Sequence, residues 1–296
     1  MTTRPMTTRA ITLQSGRTVA LHELASGDGD RTVVLCHPAP GSGGFDPDPE
    51  QTAARGVRLL ALDRPGYGGS EPVGPGEWAS VDRAADDVAD MLGQVGAARV
   101  GVAGWSAGGR VALALAARHP DLVDRVAVLA TPAPDEKVPW IPPEQKAGLE
   151  ALAALPPEQV HATLSAQLGG MLEQLPSPMA LLGPTDADAD ALDRPGARAR
   201  LEAMIDGALV QGPVGIAADI AGYCLRRWGF ELSDVAAKTL LLYGSADPVA
   251  GPAHGRWYRG QLADARYEQV PGQGHLLVIP MWKRVLAHLA PGTTRR

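Results

Sequence analysis

The sequence contains little cysteine and no long apolar run. Two cysteines in 296 residues, Cys36 and Cys224, are too few for a disulfide framework or a four-cysteine zinc site. We therefore expect a reduced, cytoplasmic setting. No apolar stretch approaches the length that spans a bilayer. The polar first ten residues, MTTRPMTTRA, lack the apolar region of a secretory signal, so we expect no such signal.

The sequence also lacks an excess of basic residues. Lysine and arginine number 27 against 33 acidic residues, which gives a formal net charge of −6. Nucleic acids and anionic membranes bind to basic faces, so neither is an expected partner. The patterns H-E-x-x-H, C-x-x-C and G-x-G-x-x-G and the P-loop are missing as well. We therefore expect neither a metal nor a cofactor. The expected partner is a small-molecule substrate, and the sequence allows either a monomer or a homodimer.

Compact apolar runs alternate with helical patterns along much of the chain. Apolar runs without polar alternation are typical of strands buried on both faces of a parallel sheet. Strands alternating with helices therefore predict an α/β fold, with an eight-stranded, mostly parallel sheet flanked by helices. The predicted strands are Ala10–Leu13, Val19–Leu24, Thr32–Cys36, Val57–Leu62, Val100–Ala103, Val126–Leu129, Thr239–Tyr243 and Tyr267–Val270. The predicted helices are Val81–Val95, Ala107–Arg118 and Met281–Leu289.

The alternation stops between residues 134 and 233. This stretch is rich in Ala, Leu and Pro, and it predicts a helical cap inserted after the sixth strand. The core domain would then comprise residues 1–133 and 234–296. An acidic run inside the insertion is predicted to be a solvated loop or a helix start and not a metal site. It consists of Asp186, Asp188, Asp190 and Asp193.

A serine lies in a glycine-rich turn between a predicted strand and a predicted helix. Residues 104–108 read Gly-Trp-Ser-Ala-Gly, which fits G-x-S-x-G. In this setting a tight turn forces the serine backbone into a strained conformation and projects its hydroxyl from the sheet edge. The small flanking residues let neighbouring segments pass closely. Ser106 is therefore the predicted nucleophile.

A serine hydroxyl needs a base to accept its proton, and the base needs a carboxylate to orient it. His275 lies in a flexible loop after the last predicted strand, and Asp247 follows the strand before it. Both loops leave the same edge of the sheet as the serine turn. The chain order Ser, Asp, His is the one this arrangement uses. We predict His275 as the base and Asp247 as its partner, with Asp135 as the fallback acid.

A loop after the third strand supplies candidate donors for an oxyanion. Pro38 and Pro40 have no N–H, so Ala39 is an isolated donor between them. The second donor would be the backbone N–H of Ala107, beside the serine. Neither cysteine is a convincing nucleophile: Cys36 ends a buried strand, and Cys224 lies in the predicted cap.

Together these stretches resemble the α/β-hydrolase superfamily over almost the whole chain. The matching segments are HPAPGSG (37–43), DRPGYGGS (63–70), GWSAGG (104–109), YGSADPV (243–249) and GQGH (272–275). The resemblance implies oxyanion donors at Ala39 and Ala107, although Pro38 stands where the family has glycine. It implies a structural role for the 63–68 segment. A serine nucleophile separates this chain from the dehalogenase and epoxide-hydrolase branches, which use aspartate there.

The resemblance does not identify which type of bond is cleaved. Apolar candidates for the pocket predict a small or medium, mainly apolar ester, lactone or thioester; they are Trp105, Trp140, Met171, Leu175, Met179 and Trp228. A proline iminopeptidase or amidase, or a carbon–carbon bond hydrolase, would use the same triad. An iminopeptidase would need an acidic cap residue, with the candidates Glu150, Glu158, Glu173 and Glu202. A non-hydrolytic small-molecule receptor or lyase is the alternative of another class.

Overall fold

One eight-stranded sheet organises the computed structural model, which describes residues 6–27, 29 and 31–292. Its strands lie in the order β1-β2-β4-β3-β5-β6-β7-β8, and β2 runs opposite to the other seven. The strands are β1 (Thr7–Thr12), β2 (Thr18–Ser26), β3 (Thr32–Cys36), β4 (Arg58–Leu62), β5 (Val100–Trp105), β6 (Val123–Leu129), β7 (Lys238–Gly244) and β8 (Ala265–Val270). The predicted mostly parallel sheet is confirmed. The prediction about a secretory signal falls partly on residues 1–5, outside the described residues.

Helices cover both faces of the sheet. Gly101 of β5 faces Leu289, whereas Gly104 faces the backbone of residues 108 and 109. Because side chains three positions apart on a strand point to opposite faces, the helices that hold these contacts lie on opposite sides. The helices are α1 (Pro49–Arg55), α2 (Val81–Gln94), α3 (Gly108–Arg118), α4 (Pro143–Leu152), α5 (Pro157–Leu172), α6 (Ala189–Leu192), α7 (Ala197–Ala208), α8 (Val214–Cys224), α9 (Pro252–Gln261) and α10 (Val278–Leu289).

The central strands and α3 form the interior of the core. The five residues of β3 are all buried, as are the six of β5. Residues 108–116 of α3 are buried too, so this helix is covered on every side by other elements. The glycine-rich turn that contains Ser106 therefore joins two elements that are fixed by extensive packing.

Helices α4 to α8 lie between β6 and β7, and residues 134–233 are called the helical insert below. Helix α5 packs against α8 through a small apolar cluster that contains Val160, Leu164, Ala217 and Ala221. Helix α7 instead joins the main core through Leu201. The insert is thus attached to the sheet domain by buried apolar contacts. Among the described residues, no helix combines the length and apolarity that crossing a membrane requires.

The topology brings four loops to one edge of the sheet. Strands β3, β5, β7 and β8 belong to the parallel part of the sheet, so their carboxyl ends point the same way. Ligands of such sheets bind beyond those ends. Because the loops after these strands carry residues 37–43, Ser106, Asp247 and His275, the predicted site residues start from a shared edge.

Asp46, which follows the loop at residues 37–43, carries a buried carboxyl. Burial disfavours its charged form more than hydrogen bonds from the Thr52 hydroxyl and the Asp48 N–H favour it, and its pKa rises from 3.8 to about 6. Between pH 3.8 and about pH 6, the folded state therefore binds this proton more tightly than the unfolded state does. Stability must fall as pH rises through that window.

We expect Asp46→Asn to raise the free energy of unfolding by up to about 3 kcal/mol at about pH 8, at about 1.4 kcal/mol per pKa unit. The amide keeps the acceptor oxygen but has no charge to desolvate. Urea unfolding at about pH 4 and pH 8 measures the gain, which should shrink at the lower pH. Glu50→Gln, which removes an exposed carboxyl from α1, is the control. An equal gain at both pH values would contradict the assignment.

Candidate active site

Ser106 occupies a sharp turn between β5 and α3. Its backbone φ is 53°, in the left-handed region that residues other than glycine rarely adopt. Flanking glycines make the turn possible. A Cβ on Gly104 would lie 2.4 Å from the carbonyl oxygen of Gly108, and a Cβ on Gly108 would lie 2.1 Å from that of Cys36. The turn therefore has the strained geometry expected of a nucleophile elbow.

His275 bridges Ser106 and Asp247. Its Nε2 lies 3.1 Å from Ser106 Oγ, and its Nδ1 lies 2.8 Å from Asp247 Oδ2. All three residues are buried, with at most 8% of each exposed. The three side chains, far apart in sequence, thus form one hydrogen-bonded chain at the sheet edge. This is the spatial arrangement that the proposed roles require.

The second oxygen of Asp247 is also occupied. Asp247 Oδ1 accepts hydrogen bonds from the N–H groups of Val249 at 2.8 Å and Ala250 at 3.0 Å. Burial alone would raise the pKa of this carboxyl. The hydrogen bond and charge of His275, together with the two N–H groups, outweigh burial and lower the pKa below its usual 3.8. Asp247 is therefore ionised at neutral pH, as a partner for an imidazolium must be. The fallback acid, Asp135, instead binds Lys146 and two backbone N–H groups.

The backbone around His275 is held from two sides. The indole Nε1 of Trp105 donates to the carbonyl of His275 at 2.9 Å, and the N–H of Leu276 donates to Asp188 Oδ1 at 2.8 Å. The predicted helix start is present, since a 3-10 turn at Asp186–Asp188 leads into α6. The prediction of a solvated acidic run is wrong for Asp188, which is only 1% exposed because it packs under the histidine loop. The other three acidic residues are exposed.

The predicted oxyanion donors face the same cavity as Ser106. Ala39 and Ala107 both line it, together with His275. Within the described part of the chain, the N–H groups of Ala39 and Ala107 donate no hydrogen bond to the protein. Two free donors beside a nucleophile are what a developing oxyanion needs.

An arginine holds the loop that carries Ala39. Arg64 Nη1 donates to the His37 carbonyl at 2.5 Å, and Nη2 donates to the Pro38 carbonyl at 2.8 Å. Its Nε and Nη2 also donate to the carboxylate of Asp219 on α8, at 3.1 and 2.6 Å. We call this arrangement the Arg64 clamp. It fixes the loop although Pro38 replaces the glycine found in the resembled family, and it gives the 63–68 segment a structural role.

The cavity at Ser106 has a volume of about 280 Å³, near the lower end of the range for small-molecule sites. Its walls are largely apolar. The lining residues are Pro38, Ala39, Ser106, Ala107, Arg110, Pro132, Trp140, Leu181, Leu182, Gly183, Ile216, Asp219, Ile220, Tyr223, Cys224, Val249 and His275. Of the predicted substrate-binding residues, Trp140 is therefore the one that reaches the cavity.

The other five predicted substrate-binding residues lie elsewhere. Trp105 is 1% exposed and packs beneath the His275 loop, and Met179 is buried in the main core. Met171 is 42% exposed, and Leu175 is half-buried outside the cavity lining. Trp228 lines a neighbouring groove and stacks on Phe230. The corrections for the four residues of the insert share a cause, since the sequence alone does not reveal which side of an inserted segment faces the sheet. Trp105 instead ends β5 and is buried beneath the His275 loop.

Arg110 is a lining residue that the sequence analysis did not identify. It lies four residues after Ser106, one turn along α3, and it donates to the carbonyl of Pro132 at 3.1 and 3.3 Å. Its guanidinium carbon lies 4.8 Å from the Trp228 ring centre and 5.6 Å from that of Tyr223, within the range of cation–π attraction. The spacing of four residues from Ser106 on a predicted helix could have indicated that Arg110 lies near the site. No comparable sequence signal pointed to Tyr223.

The two cysteines differ in position. Burial raises the pKa of Cys36 to about 12, so its thiol is not a nucleophile near neutral pH. Cys224 lines the cavity, and burial raises its pKa as well. Both thiols are therefore mainly protonated near neutral pH.

The sheet, the strained serine turn and the histidine–carboxylate pair define a hydrolase fold with a serine centre. A family model described as alpha/beta hydrolase fold matches residues 31–280. The chain therefore belongs to the alpha/beta hydrolase fold family. This confirms the resemblance inferred from the motifs.

Curated relatives and a solved structure agree with this assignment. A pimeloyl-[acyl-carrier protein] methyl ester esterase from Chromobacterium violaceum is 30% identical over 82% of this chain and 86% of the relative. An enzyme of the same name from Nitrosospira multiformis is 23% identical over 92% and 97%. A thermophilic esterase from Thermogutta terrifontis matches with a TM-score of 0.69 at 22% identity, over 95% of each chain, and supports the fold alone. The prediction of a hydrolytic enzyme is confirmed.

Proposed function

We propose that the protein hydrolyses carboxylic esters of small or medium, mainly apolar substrates through an acyl-serine intermediate. One observation carries this proposal: a continuous hydrogen-bonded chain joins Ser106, His275 and Asp247 on the wall of a largely apolar cavity. Lactones and thioesters present the same reacting carbonyl and belong to the proposed class.

In the first half-reaction Ser106 Oγ attacks the ester carbonyl. Because the ionised Asp247 only accepts hydrogen bonds, Nδ1 of the neutral imidazole carries the proton, and Nε2 is free to take the serine proton. The carbonyl oxygen becomes an oxyanion, which the N–H groups of Ala39 and Ala107 would bind. The intermediate then collapses, the ester C–O bond breaks, and His275 returns its proton to the departing alcohol.

In the second half-reaction water attacks the acyl-serine. His275 Nε2 accepts a proton from that water as the new C–O bond forms. The second tetrahedral intermediate releases the carboxylic acid, and the proton on His275 returns to Ser106 Oγ. The buried setting of all three side chains keeps competing solvent from their hydrogen bonds and strengthens them.

The helical insert supplies much of the substrate wall, which supports its role as a cap. Trp140, Leu181, Ile216, Ile220 and Tyr223 all line the cavity from residues 134–233. We therefore propose that these residues form a distinct cap domain, and that their apolar surfaces hold the acyl or alcohol part of the substrate. Burying such groups against an apolar wall gives about 25 cal/mol for each Å².

The alternatives have less support in the geometry. An iminopeptidase needs a carboxylate for the substrate amine, but Glu150, Glu158, Glu173 and Glu202 are exposed and outside the cavity lining. Asp219 lines the cavity, but its oxygens bind Arg64 and Tyr67. A carbon–carbon bond hydrolase, a receptor or a lyase has no specific contact in its favour.

We expect p-nitrophenyl acetate and butyrate to be hydrolysed with higher kcat/KM than the octanoate, and the palmitate to react at least about 100-fold more slowly, because the cavity is small. Initial rates across this series, with a methyl ester and a proline arylamide included, measure the preference. Ile220→Trp, which narrows the cavity, should make kcat/KM fall more steeply as the acyl chain lengthens. Preferred turnover of palmitate or of the arylamide would contradict the proposed substrate class.

We also propose a cytoplasmic location for the protein. The free state of Cys36 and Cys224 supports a cytoplasmic location. The choice between monomer and homodimer is accessible to light scattering on the purified protein, and the triad described above is complete within one chain.

A further inference from the structure

We infer that Asp188 is a positioning residue for the general base: it ties the helical insert to the loop that carries His275. The inference rests on the proposed hydrolytic function and adds a residue to it. Asp188 is 88 residues distant in sequence from its main partner, Leu276, and it belongs to a different part of the fold. The contact joins two segments whose relative position decides whether His275 meets Ser106.

The loop is fastened on either side of His275. Before it, the N–H of Gly274 donates to the carbonyl of Ala187 at 3.3 Å. After it, the N–H of Leu276 donates to Asp188 Oδ1 at 2.8 Å. Two neighbouring residues of the insert therefore hold the N–H groups of the two residues that flank His275.

The carboxylate of Asp188 is itself fixed. Its Oδ2 accepts hydrogen bonds from the N–H of Thr185 at 3.0 Å and from the Thr185 hydroxyl at 3.2 Å. Each oxygen thus has its own donors, and the residue is 1% exposed. A buried carboxylate with both oxygens bound has one orientation available, so it sets a definite position for the Leu276 N–H.

Gly274 allows this close approach. A Cβ at this position would lie 2.5 Å from Asp188 Oδ1, well inside contact distance. Because a side chain there would displace the carboxylate, the glycine and the aspartate form a matched pair. The acidic residue and the G-H dipeptide of the histidine loop are therefore linked by packing as well as by hydrogen bonding.

Loss of this contact should affect catalysis through His275. Leu276 is fully buried, so its N–H would have no solvent to replace Asp188. The loop would relax, and the 3.1 Å separation of His275 Nε2 and Ser106 Oγ would no longer be fixed. Displacements near 1 Å at reacting groups cost about 100-fold in rate.

We expect Asp188→Ala to lower kcat for a short p-nitrophenyl ester by about 10- to 100-fold, with KM changed less than about twofold because Asp188 is outside the cavity lining. Rates are divided by the sites that a fluorophosphonate titrates to completion, so unfolded protein does not count. Asp188→Asn has a single acceptor oxygen, for which the N–H groups of Leu276 and Thr185 compete, so it should recover only part of the loss. Asp186→Asn, at an exposed residue of the same turn, should match the unsubstituted enzyme.

An unchanged kcat per titrated site in Asp188→Ala, even with a lower melting temperature, would overturn the inference by making Asp188 merely structural. An equal loss in Asp186→Asn would overturn it too, because the effect would then be one of charge alone.

A second measurement needs no turnover. The Nδ1 proton between His275 and Asp247 should give a downfield NMR resonance, which Asp188→Ala should shift or broaden and Asp186→Asn should leave in place. An unperturbed resonance in Asp188→Ala would contradict the positioning role. Failure of the hydrolytic proposal itself would appear separately, as an unsubstituted enzyme that neither turns over esters nor reacts with the fluorophosphonate.

Discussion

Replacing Ser106 with alanine is expected to lower kcat for ester hydrolysis by about 10⁶-fold and to abolish covalent labelling by a fluorophosphonate. The probe reacts when Ser106 Oγ attacks phosphorus and displaces fluoride, so its attachment needs the same hydroxyl as the acyl intermediate. His275 and the free N–H groups of Ala39 and Ala107 remain in this variant, but the attacking atom is gone. Initial rates and intact-protein mass spectrometry measure the two effects.

Ser233→Ala is the matched control for this experiment, because its hydroxyl is exposed and lies outside the cavity lining. It should retain full turnover and one probe per chain. Peptide mapping of the labelled protein should place the adduct on Ser106. An adduct that persists in Ser106→Ala, on Cys224 or elsewhere, would show that the nucleophile is misassigned.

Replacing Asp247 with asparagine should lower kcat by about 10⁴-fold. The N–H groups of Val249 and Ala250 donate to one side of this residue, so the amide oxygen must take that side. Its NH₂ group then faces His275 Nδ1 and donates to it. The imidazole proton moves to Nε2, and that nitrogen has no lone pair left to accept the proton of Ser106.

Asp135→Asn tests the fallback acid under the same conditions and should leave kcat within about twofold of the unsubstituted value. The pKa of Asp247 is already lowered, so this carboxylate stays charged as pH falls through neutrality. Its contribution to stability is lost only when pH drops through that lowered folded-state pKa. A loss of activity in Asp135→Asn that exceeds the loss in Asp247→Asn would reverse the two assignments.

The sheet and the meeting of Ser106, His275 and Asp247 at its edge were predictable from local sequence signals. Uninterrupted apolar runs such as Thr32–Cys36 mark strands buried on both faces, and parallel order then sends their following loops to one edge. Ser106 follows from a glycine pattern, whose steric requirement is visible at Gly104 and Gly108. His275 follows from its place after the last strand. Each signal lies within a few residues of the side chain it identifies.

The pocket lining and the supports of the site were not predictable in this way. Met171 and Leu175 are as apolar as Leu181, yet only Leu181 reaches the cavity, because the tilt of the inserted segments is set by contacts with the sheet domain. Asp188 sits in an acidic run whose composition indicates solvent exposure. Its burial depends on a donor 88 residues further along the chain, and no local pattern encodes that meeting.

The Arg64 clamp has a consequence for how this enzyme could diverge. Asp219 of the insert holds Arg64, and Arg64 holds the loop that presents the Ala39 N–H. If the Ala39 N–H binds the oxyanion as proposed, we expect an exchange of residues 134–233 for the corresponding segment of a relative to alter transition-state stabilisation as well as substrate choice. An active chimaera would need a carboxylate at the position of Asp219. Without it, Arg64 would lose its partner on the insert, and the loop that carries Ala39 would be held less firmly.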